Sequence, residues 1–475
     1  MISLGTYDSS VSKDDLAAYQ ARVKKLTGIV VLSEWNRQLR DEGKWVDYTP
    51  LGAGETMKVA GLQQFLRDAG FRPSGEVNGI CGYRTAAAIF LFQEYVRTIE
   101  GRADIGYPDG RLGPNTFAHV QRWQAGALRT DWAETSGANP SPEHAQMTRL
   151  LNATKAHYLA SPGPTLSKVN ATGACDTVKV ADWNFDPAKV HLVGIRRRKS
   201  ASAVQNLDDA FKLLIHGQVF TFYGSTEPGT KSRDEPKFPY LVPGQHRYRL
   251  GWHHQGEGDK IFQALKPLGV GVLVQRSAAV IATEAELQGP LDPRFNQSIN
   301  VHWGGGGATD SASWSAGCQV VAGKSYSNHH MKVIDCSPFA AAGYAGLGAN
   351  NAKGVYQNKG AYTMLVSLIS ALSGENPDDN VIQFTLLTES DLVSTASSSP
   401  SIPSNCCSKC GLPSGRVGPA GPGQGSVDTR RVQPGFGSLS ARSLRQMPSG
   451  RDRLDTIRLT CPVAASASTF MHAQP

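Results

Sequence analysis

Apolar side chains recur at helical spacing in the N-terminal third of the chain. Residues 62–66 and 85–96 each place apolar groups three or four positions apart, and Gly70 stands where glycine commonly ends a helix. A third helix is predicted to begin at Pro114 and to end near Trp123. The apolar faces of these helices are expected to form one core. Its predicted members are Leu62, Phe65, Leu66, Ile89 and Phe92.

Farther along the chain the apolar period shortens to two residues, which is typical of strands. Residues 211–215 and 218–223 alternate apolar and polar positions around His216-Gly217, and this predicts a β-hairpin with a two-residue turn. Short runs bounded by glycine or proline predict further strands. These strands are expected at 191–195, 241–244, 271–274, 299–302 and 362–369.

Length and composition predict an α+β, multidomain protein, because 475 residues leave room for about three domains. A connector predicted over 129–189 contains a predicted helix at 142–159 and a loop at 161–164. The C-terminal tail is rich in Ser, Pro, Gly and Arg, a composition typical of disorder. The predicted segments are an N-terminal extension (1–50), a helical domain (51–128), the connector (129–189), a mostly β domain (190–389) and the tail (390–475).

One cysteine has the neighbours that nucleophilic catalysis requires. Cys318 follows Gly317 and lies sixteen residues after His302. A cysteine attacks a carbonyl group as its thiolate, so it needs a base close by. The backbone N–H groups around Cys318 are expected to bind the oxyanion of a tetrahedral intermediate. This pattern indicates acyl-transfer chemistry.

The sequence Ser-Ala-Gly-Cys at 315–318, preceded by His302, resembles the catalytic motif of the L,D-transpeptidases, which cross-link bacterial cell walls. The resemblance covers about residues 190–370 and implies a mostly β catalytic domain. It makes Cys318 the nucleophile and His302 the base, while Ser315 orients the loop and backbone amides form the oxyanion hole. The implied catalytic residues are Cys318, His302, Ser315 and Gly317.

The chain departs from the usual Ser-His-Gly-Cys pattern at two places. Ala316 stands at the position of the second histidine, and Gln319-Val320 replaces an aliphatic residue followed by Arg or Asn. The substrate carboxylate would therefore be bound either by Gln319 or by one of the upstream arginines, and the sequence does not decide between them. Gly304 begins a run of four glycines that is expected to approach a ligand. The predicted substrate-binding residues of this domain are Gln319, Trp303 and Gly304.

The helical region resembles the small three-helix peptidoglycan-binding domain over about 70 residues. That domain has the signature Leu-Gln, Gly-aromatic, Asn-Gly, Gly-x-x-Thr and Ala-x-x-x-Phe-Gln. The matching residues are Leu62, Gln63, Gly70, Phe71, Asn78, Gly79, Gly82, Thr85, Ala88, Phe92 and Gln93. Tyr83, Arg84 and Tyr107 are the expected contacts, because aromatic rings stack on sugars and arginine pairs with stem-peptide carboxylates.

The net charge of +8 is compatible with polyanionic partners but does not identify one. The compact basic run at 196–199 follows a predicted strand and is expected to be a solvated turn, so no nucleic-acid partner is predicted. Peptidoglycan, with its glycan strands and carboxylate-bearing stem peptides, is the predicted partner. The oligomeric state is left open.

The eight cysteines show no disulfide framework, and Cys407-x-x-Cys410 lacks the second pair of a zinc ribbon. No metal or other cofactor is therefore predicted. Residues 1–25 lack the apolar core of a signal peptide, and no transmembrane segment is predicted. An enzyme acting in the cell wall or periplasm is then expected to be delivered by phage lysis or non-classical secretion, or to be cytoplasmic before release.

The favoured function is a cysteine acyltransferase or peptidase, of L,D-transpeptidase or L,D-carboxypeptidase type, that forms a thioester with cell-wall stem peptides. A catalytically impaired peptidoglycan-binding protein is an alternative, because Ala316 replaces the family's histidine. An NlpC-type hydrolase would use Cys336, but His472 is the only histidine downstream of it. A zinc hydrolase is a further alternative. Its ligands would come from His302, Asp310 and His329 or His330.

Overall fold

The chain forms two compact units, Met1–Ile402 and Pro403–Pro475, and the described residues all belong to the first. The computed structural model describes residues 1–27, 46, 48–71, 76–197, 208–228, 238–253, 262–278, 282–304, 315–340, 360–373 and 381–392. The predicted tail lies outside the described residues from residue 393 onward.

The N-terminal part of the described chain is helical. Its helices are α1 (Lys13–Thr27), α2 (Val59–Asp68), α3 (Tyr83–Thr98), α4 (Pro114–Ala125), α5 (Pro142–Ala160) and α6 (Gly163–Ala171). Helices α2, α3 and α4 occupy the three predicted stretches, and all five predicted core residues are buried. Helix α5 confirms the predicted connector helix. The loop predicted over 161–164 is shorter than expected, because α6 already begins at Gly163, with a proline in its first turn.

A buried glutamine holds the loop between α2 and α3. Gln63 Oε1 accepts hydrogen bonds from the N–H groups of Asn78 and Gly79, each 2.9 Å long. Its Nε2 donates to the Ile80 carbonyl at 2.9 Å and to the Thr85 hydroxyl at 3.0 Å. A buried amide without these partners would cost about 1–3 kcal/mol. The Gln63 side chain thus hydrogen-bonds to both the Asn-Gly and the Gly-x-x-Thr positions of the sequence signature.

The same arrangement recurs between α3 and α4, which makes the helical part an internal repeat. Gln93 Oε1 accepts from the N–H groups of Asp109 and Gly110 at 2.9 Å, and its Nε2 donates to the Thr116 hydroxyl at 2.9 Å. The glycine of each loop has a φ of 71°, in the left-handed region that favours glycine. The same side-chain chemistry is therefore repeated, with each partner one residue farther from Gln93 than its counterpart is from Gln63.

The larger part of the fold is β-rich. The strands are β1 (Thr6–Tyr7), β2 (Thr49–Pro50), β3 (Thr177–Val178), β4 (Val190–Arg196), β5 (Asp209–Ile215), β6 (Gln218–Ser225), β7 (Phe238–Leu241), β8 (Gly244–His253), β9 (Phe262–Pro267), β10 (Val274–Ser277), β11 (Val301–Trp303), β12 (Gln319–Ser327), β13 (Val333–Asp335) and β14 (Ile382–Thr388). Eight of them form a closed barrel in the order β11-β9-β8-β14-β4-β5-β6-β12, with β12 pairing back to β11. The β11–β12 and β4–β14 pairs are parallel, and the other neighbours are antiparallel.

The predicted hairpin is confirmed by β5 and β6. Ile215 pairs with Gln218, and the turn residues His216 and Gly217 have φ values of 50° and 74°. Two successive left-handed residues give the turn the twist that a two-residue hairpin requires. The strands predicted at 241–244, 271–274 and 299–302 are each only partly strand. Val242-Pro243 separates β7 from β8, β10 begins at Val274, and β11 begins at Val301.

Alternate residues of the barrel strands face two different hydrophobic clusters. On β4, Leu192 joins a cluster shared with the N-terminal helices, whereas Val193 and Ile195 join a cluster that includes residues of α5 and α6. Strand β4 extends through Arg196, which is buried and donates to the hydroxyl and carbonyl of Thr226 at 3.0 and 2.9 Å. The prediction of a solvated turn is therefore wrong for Arg196.

The strand predicted at 362–369 is wrong, because this segment is helical. The remaining α-helices of the described chain are α7 (Glu284–Leu287), α8 (Ser337–Ala340) and α9 (Ala361–Leu372). Helix α9 contacts both α3 and β12, and nearly all of its residues are buried. A helix buried on all sides has no polar face, so its sequence lacks the period that would separate it from a strand.

Two contacts join the helical part to the barrel. Trp132, in the connector, makes edge contacts with the rings of Phe71 in the helical core and Phe220 on β6. Glu94 of α3 is fully buried and accepts a hydrogen bond from the Tyr326 hydroxyl of β12 at 2.9 Å. Burial raises the pKa of Glu94 from 4.5 to about 7, although Tyr326, Arg97 and Thr98 partly oppose the shift.

The buried Glu94 predicts a stability that falls as the pH rises from about 4.5 to about 7, because in this range the folded protein retains a proton that the unfolded chain releases. Glu94→Gln should remove this part of the pH dependence and stabilise the protein at pH 8. Urea unfolding of both proteins at several pH values measures the effect. The exposed Glu143→Gln is the control. A stability difference between wild type and Glu94→Gln that does not change with pH would contradict the assignment.

Candidate active site

The parallel pairing of β11 with β12 brings the motif residues together. Val301 pairs with Gln319 and His302 with Val320, and the Gln319 N–H donates to the Asn300 carbonyl at 2.8 Å. This register sets Cys318 beside Asn300. The Cys318 sulfur accepts a hydrogen bond from the Asn300 N–H at 3.3 Å. The predicted nucleophile therefore lies immediately before β12, at the point where the barrel closes.

Cys318 lies one residue before β12, and extending the strand alternation by that one residue assigns it to the face of His302. Spacings of about 4.8 Å between strands and 3.3 Å per residue put their Cα atoms roughly 8 Å apart. The thiol also donates to the Ser298 carbonyl at 3.1 Å.

Ser315 organises the turn before Cys318. Its hydroxyl donates to the Cys318 carbonyl at 2.9 Å and accepts from the Gly317 N–H at 3.1 Å. A Cβ at Gly317 would lie 2.6 Å from Pro239 Cγ and 2.7 Å from the Pro239 carbonyl oxygen, so the turn has room only for glycine. Ala316 is exposed. Because Ser315 already uses the Gly317 amide, an oxyanion at this amide would have to share or displace that bond.

The hydrogen bonds of His302 indicate which ring nitrogen carries a proton. Nδ1 lies 2.9 Å from the Trp303 carbonyl, which can only accept, so Nδ1 is the protonated nitrogen. In the neutral ring this leaves a lone pair on Nε2, as a general base requires. The ring stacks on that of His253, with centroids 4.3 Å apart and an interplanar angle of 14°. Asn300 Nδ2 lies 2.8 Å from His253 Nδ1 and links this ring to the strand of His302.

Electrostatics at Cys318 favour the protonated thiol in the resting protein. Burial raises the thiol pKa above 9.0, opposed by hydrogen bonds from Asn300 and Ser315 and by the positive charge of Lys266. Lys266 pairs with Arg249 across β8 and β9, and the register puts both on the face that carries His302. Burial also lowers the pKa of each of these two bases. A partly buried cationic pair thus faces the cysteine.

Two of the predicted substrate contacts lie away from this face. Gln319 is fully buried and shares the face of its register partner Val301, as does Trp303, which packs against the core. Gly304 is buried, and its N–H donates to the Val321 carbonyl at 3.0 Å. The remainder of the four-glycine run lies outside the described residues.

The three contacts predicted on the helical part differ in exposure. Tyr83 and Arg84 are half-buried at the start of α3. Tyr107 is 43% exposed, and the Arg97 guanidinium lies 4.4 Å from its ring centroid. Tyr107 therefore offers an aromatic surface to solvent with a cation beside it.

The alternative nucleophile and the alternative metal ligands lie elsewhere. Cys336 is fully buried, and burial together with the nearby charges of Glu94 and Asp335 raises its pKa well above 9.0. Asp310 lies outside the described residues, whereas His329 follows the opposite end of β12 from Cys318. Neither set is gathered around His302 in the part of the chain that the structure describes.

Sequence reasoning missed His253 and Lys266 as neighbours of the motif. His253 ends β8 and Lys266 lies on β9, at sequence positions with no catalytic spacing relative to Cys318. Only the pairing of Leu265 with Val301 brings β9 beside β11. The clue available in the sequence was the placing of polar residues among apolar ones in these strands.

A scan of protein-family models found no match to this chain, and neither curated proteins nor solved structures gave one. Within the described residues, every helix is too short or too polar to cross a lipid bilayer.

The raised thiol pKa predicts that iodoacetamide alkylates Cys318 slowly at pH 7 and faster as the pH passes 9. Lys266→Gln should slow alkylation at pH 8, because loss of its positive charge raises the thiol pKa further and so lowers the thiolate fraction. Peptide mass spectrometry reports the modification of each cysteine separately. Lys324→Gln, an exposed change on β12, is the control. Equal effects of the two substitutions would contradict a local role for Lys266.

Proposed function

We propose that this protein is a cysteine acyltransferase of the L,D-transpeptidase type that acts on peptidoglycan stem peptides. The observation that carries the proposal is the parallel register of β11 and β12, with Cys318 and His302 on one face. The Nδ1 hydrogen bond of His302 supports its role as base, and the bonds of Ser315 support its role in orienting the turn. Fold alone would not identify the chemistry, so the proposal rests on this site.

In the proposed reaction, His302 Nε2 takes the proton of the Cys318 thiol, and the thiolate attacks the carbonyl carbon at the L-centre of the stem-peptide diamino acid. The C–N bond to the terminal D-residue breaks, and the imidazolium returns its proton to the leaving amine. A thioester to Cys318 remains. An acceptor amine then attacks the thioester and forms a new amide, whereas water releases a carboxylic acid. Both outcomes regenerate the thiol.

The cationic pair of Lys266 and Arg249 suits two needs of this reaction. A positive charge near Cys318 stabilises the thiolate against the effect of burial. The same charges can bind the carboxylate of the D-residue, a role for which Gln319 is less suited because it lies on the other face. Arg249 then takes the place of the upstream arginine expected from the sequence.

We further propose that the helical part binds peptidoglycan and holds the enzyme on its substrate. The matched Gln63 and Gln93 arrangements support the likeness to a peptidoglycan-binding domain, because they account for its signature residues. Tyr107 and Arg97 offer a stacking surface and a cation to a glycan strand with its stem peptide. The proposed place of action is the cell wall or periplasm.

A second candidate function is a peptidoglycan-binding protein with impaired catalysis. Ala316 lacks the family's second histidine, and the Gly317 amide is already bonded to Ser315. Burial also raises the pKa of the Cys318 thiol, which favours its unreactive protonated form. Covalent reactivity of Cys318 toward a stem peptide separates this candidate from the enzyme.

Cys318→Ala should abolish release of the terminal D-residue from tetrapeptide muropeptides, because it removes the sulfur that forms the thioester. His302→Gln should lower the rate by about 10²–10⁴-fold, the usual contribution of a general base. Liquid chromatography with mass spectrometry of the muropeptides gives both results. Cys336→Ala is the matched control and should remain active. Loss of activity in Cys336→Ala with retention in Cys318→Ala would favour an NlpC-type enzyme.

Tyr107→Ala should weaken pelleting with purified sacculi by about three- to tenfold, as expected for one aromatic contact worth about 1 kcal/mol. Phe295→Ala removes another partly exposed aromatic ring, at 37% exposure, and should leave pelleting unchanged. Equal loss in both variants would mean that Tyr107 has no specific role.

A further inference from the structure

Two histidines and an aspartate converge at the end of β12 remote from Cys318. Asp131 Oδ1 lies 2.8 Å from His329 Nε2, and Asp131 Oδ2 lies 2.8 Å from His330 Nε2. One ligand atom from each residue lies within 4.8 Å of the others. Among the described residues, this is the one group of three or more such side chains with that geometry.

We propose that Asp131, His329 and His330 form a binding site for a zinc-like divalent transition metal ion. Imidazole nitrogens and a carboxylate oxygen are ligands that zinc prefers. Bond lengths of about 2.0–2.1 Å with tetrahedral angles put two ligand atoms roughly 3.3 Å apart. The observed 2.8 Å contacts would open by about half an ångström to admit the ion.

The backbone around the histidines is arranged to present both rings. Asn328 Oδ1 accepts from the N–H groups of His330 and Lys332 at 3.0 and 2.9 Å, and the Asn328 N–H donates to the Lys332 carbonyl at 2.9 Å. Met331 takes a left-handed conformation with a φ of 61°. These bonds close a tight turn that points two successive imidazoles at one carboxylate. Such preorganisation lowers the cost of collecting the ligands.

The burial of the three side chains suits a metal site, because one ligand is enclosed and the other two are accessible to solvent. His329 is buried and held by Trp132, whose indole N–H lies 2.9 Å from Nε2 and 3.0 Å from Nδ1. A bound ion would take the place of this N–H at Nε2. The side chains of His330 and Asp131 are 49% and 40% exposed, which leaves an entry path. Three protein ligands and an open side suit an ion that keeps a water molecule in its fourth position.

The site is separate from the cysteine chemistry. β12 has nine residues, and at about 3.3 Å per residue its ends lie roughly 26 Å apart. The ligands come from the connector and from the turn after β12, which are distant in sequence. A bound ion would therefore fasten the connector to the barrel beside Trp132. This inference does not rest on the proposed acyl transfer.

The test is a zinc titration of the full-length chain after treatment with EDTA and dialysis, in competition with a chromophoric chelator. Cysteines 406, 407 and 410 are possible zinc ligands elsewhere, so the parent protein carries C406S, C407S and C410S. We expect one zinc ion per chain with a dissociation constant at or below about 1 µM. His330→Gln and Asp131→Asn should each weaken binding by at least about tenfold. Both residues are partly exposed, so these variants should fold.

His119→Gln is the matched control, because His119 pairs with Asp104 at 3.1 Å, and the described residues supply no third ligand to this pair. It should bind zinc as the parent does. Zinc should also raise the melting temperature of the parent and of His119→Gln but not of His330→Gln. Absence of saturable binding below about 100 µM, or equal affinity in His330→Gln and the parent, would overturn the site. Binding without a rise in melting temperature would overturn its role as a fastener.

Discussion

The parallel pairing of β11 with β12 is the constraint on which both the fold and the candidate site depend. Without the Val301–Gln319 and His302–Val320 pairs, the eight-stranded sheet would not close. The same pairs put Cys318 beside Asn300 and on the face of His302. A short strand of three residues would be a weak element alone, but β11 is paired on both sides, with β9 and with β12. The strand pairing that closes the barrel therefore also assembles the candidate site.

A second set of contacts makes the helical part and the barrel a single folded body. They share a hydrophobic cluster, and α9 lies against both α3 and β12. Trp132 bridges the two aromatic groups, and the hydrogen bond between Glu94 and Tyr326 crosses the same boundary. Such a large apolar boundary opposes free movement of one part relative to the other. If the helical part binds the cell wall, the candidate site is presented to it in a fixed orientation.

Local features of the chain were predictable where a residue acts on its immediate neighbours. The His216-Gly217 turn, the helices around Phe65 and Phe92, and the connector helix all follow from short-range spacing. The helix over 362–369 was not predictable in this way, because a fully buried helix carries no periodic pattern of polar residues. The capture of Arg196 by Thr226 was equally invisible, since the two residues are thirty positions apart.

The candidate site was likewise only partly predictable from the sequence. The motif around Cys318 and its partner His302 could be read from residue types and spacing, but the neighbours supplied by β8 and β9 depend on strand order. Gln319 was a reasonable substrate contact in the sequence, yet strand alternation turns it to the face of Val301. A one-residue shift in the pairing register of β12 would have reversed that outcome. Asp131 likewise meets His329 only because distant segments pack together.

The most direct measurement of the central claim is intact-mass spectrometry of the full-length protein after incubation with a carbapenem, followed by peptide mapping of the adduct. The strained amide of the carbapenem is an acyl donor that needs only a competent nucleophile and its base. The account predicts one covalent adduct per chain, carried by the peptide that contains Cys318 and strongly reduced when His302 is replaced by glutamine. An adduct on another cysteine, or one whose rate does not depend on His302, would contradict it.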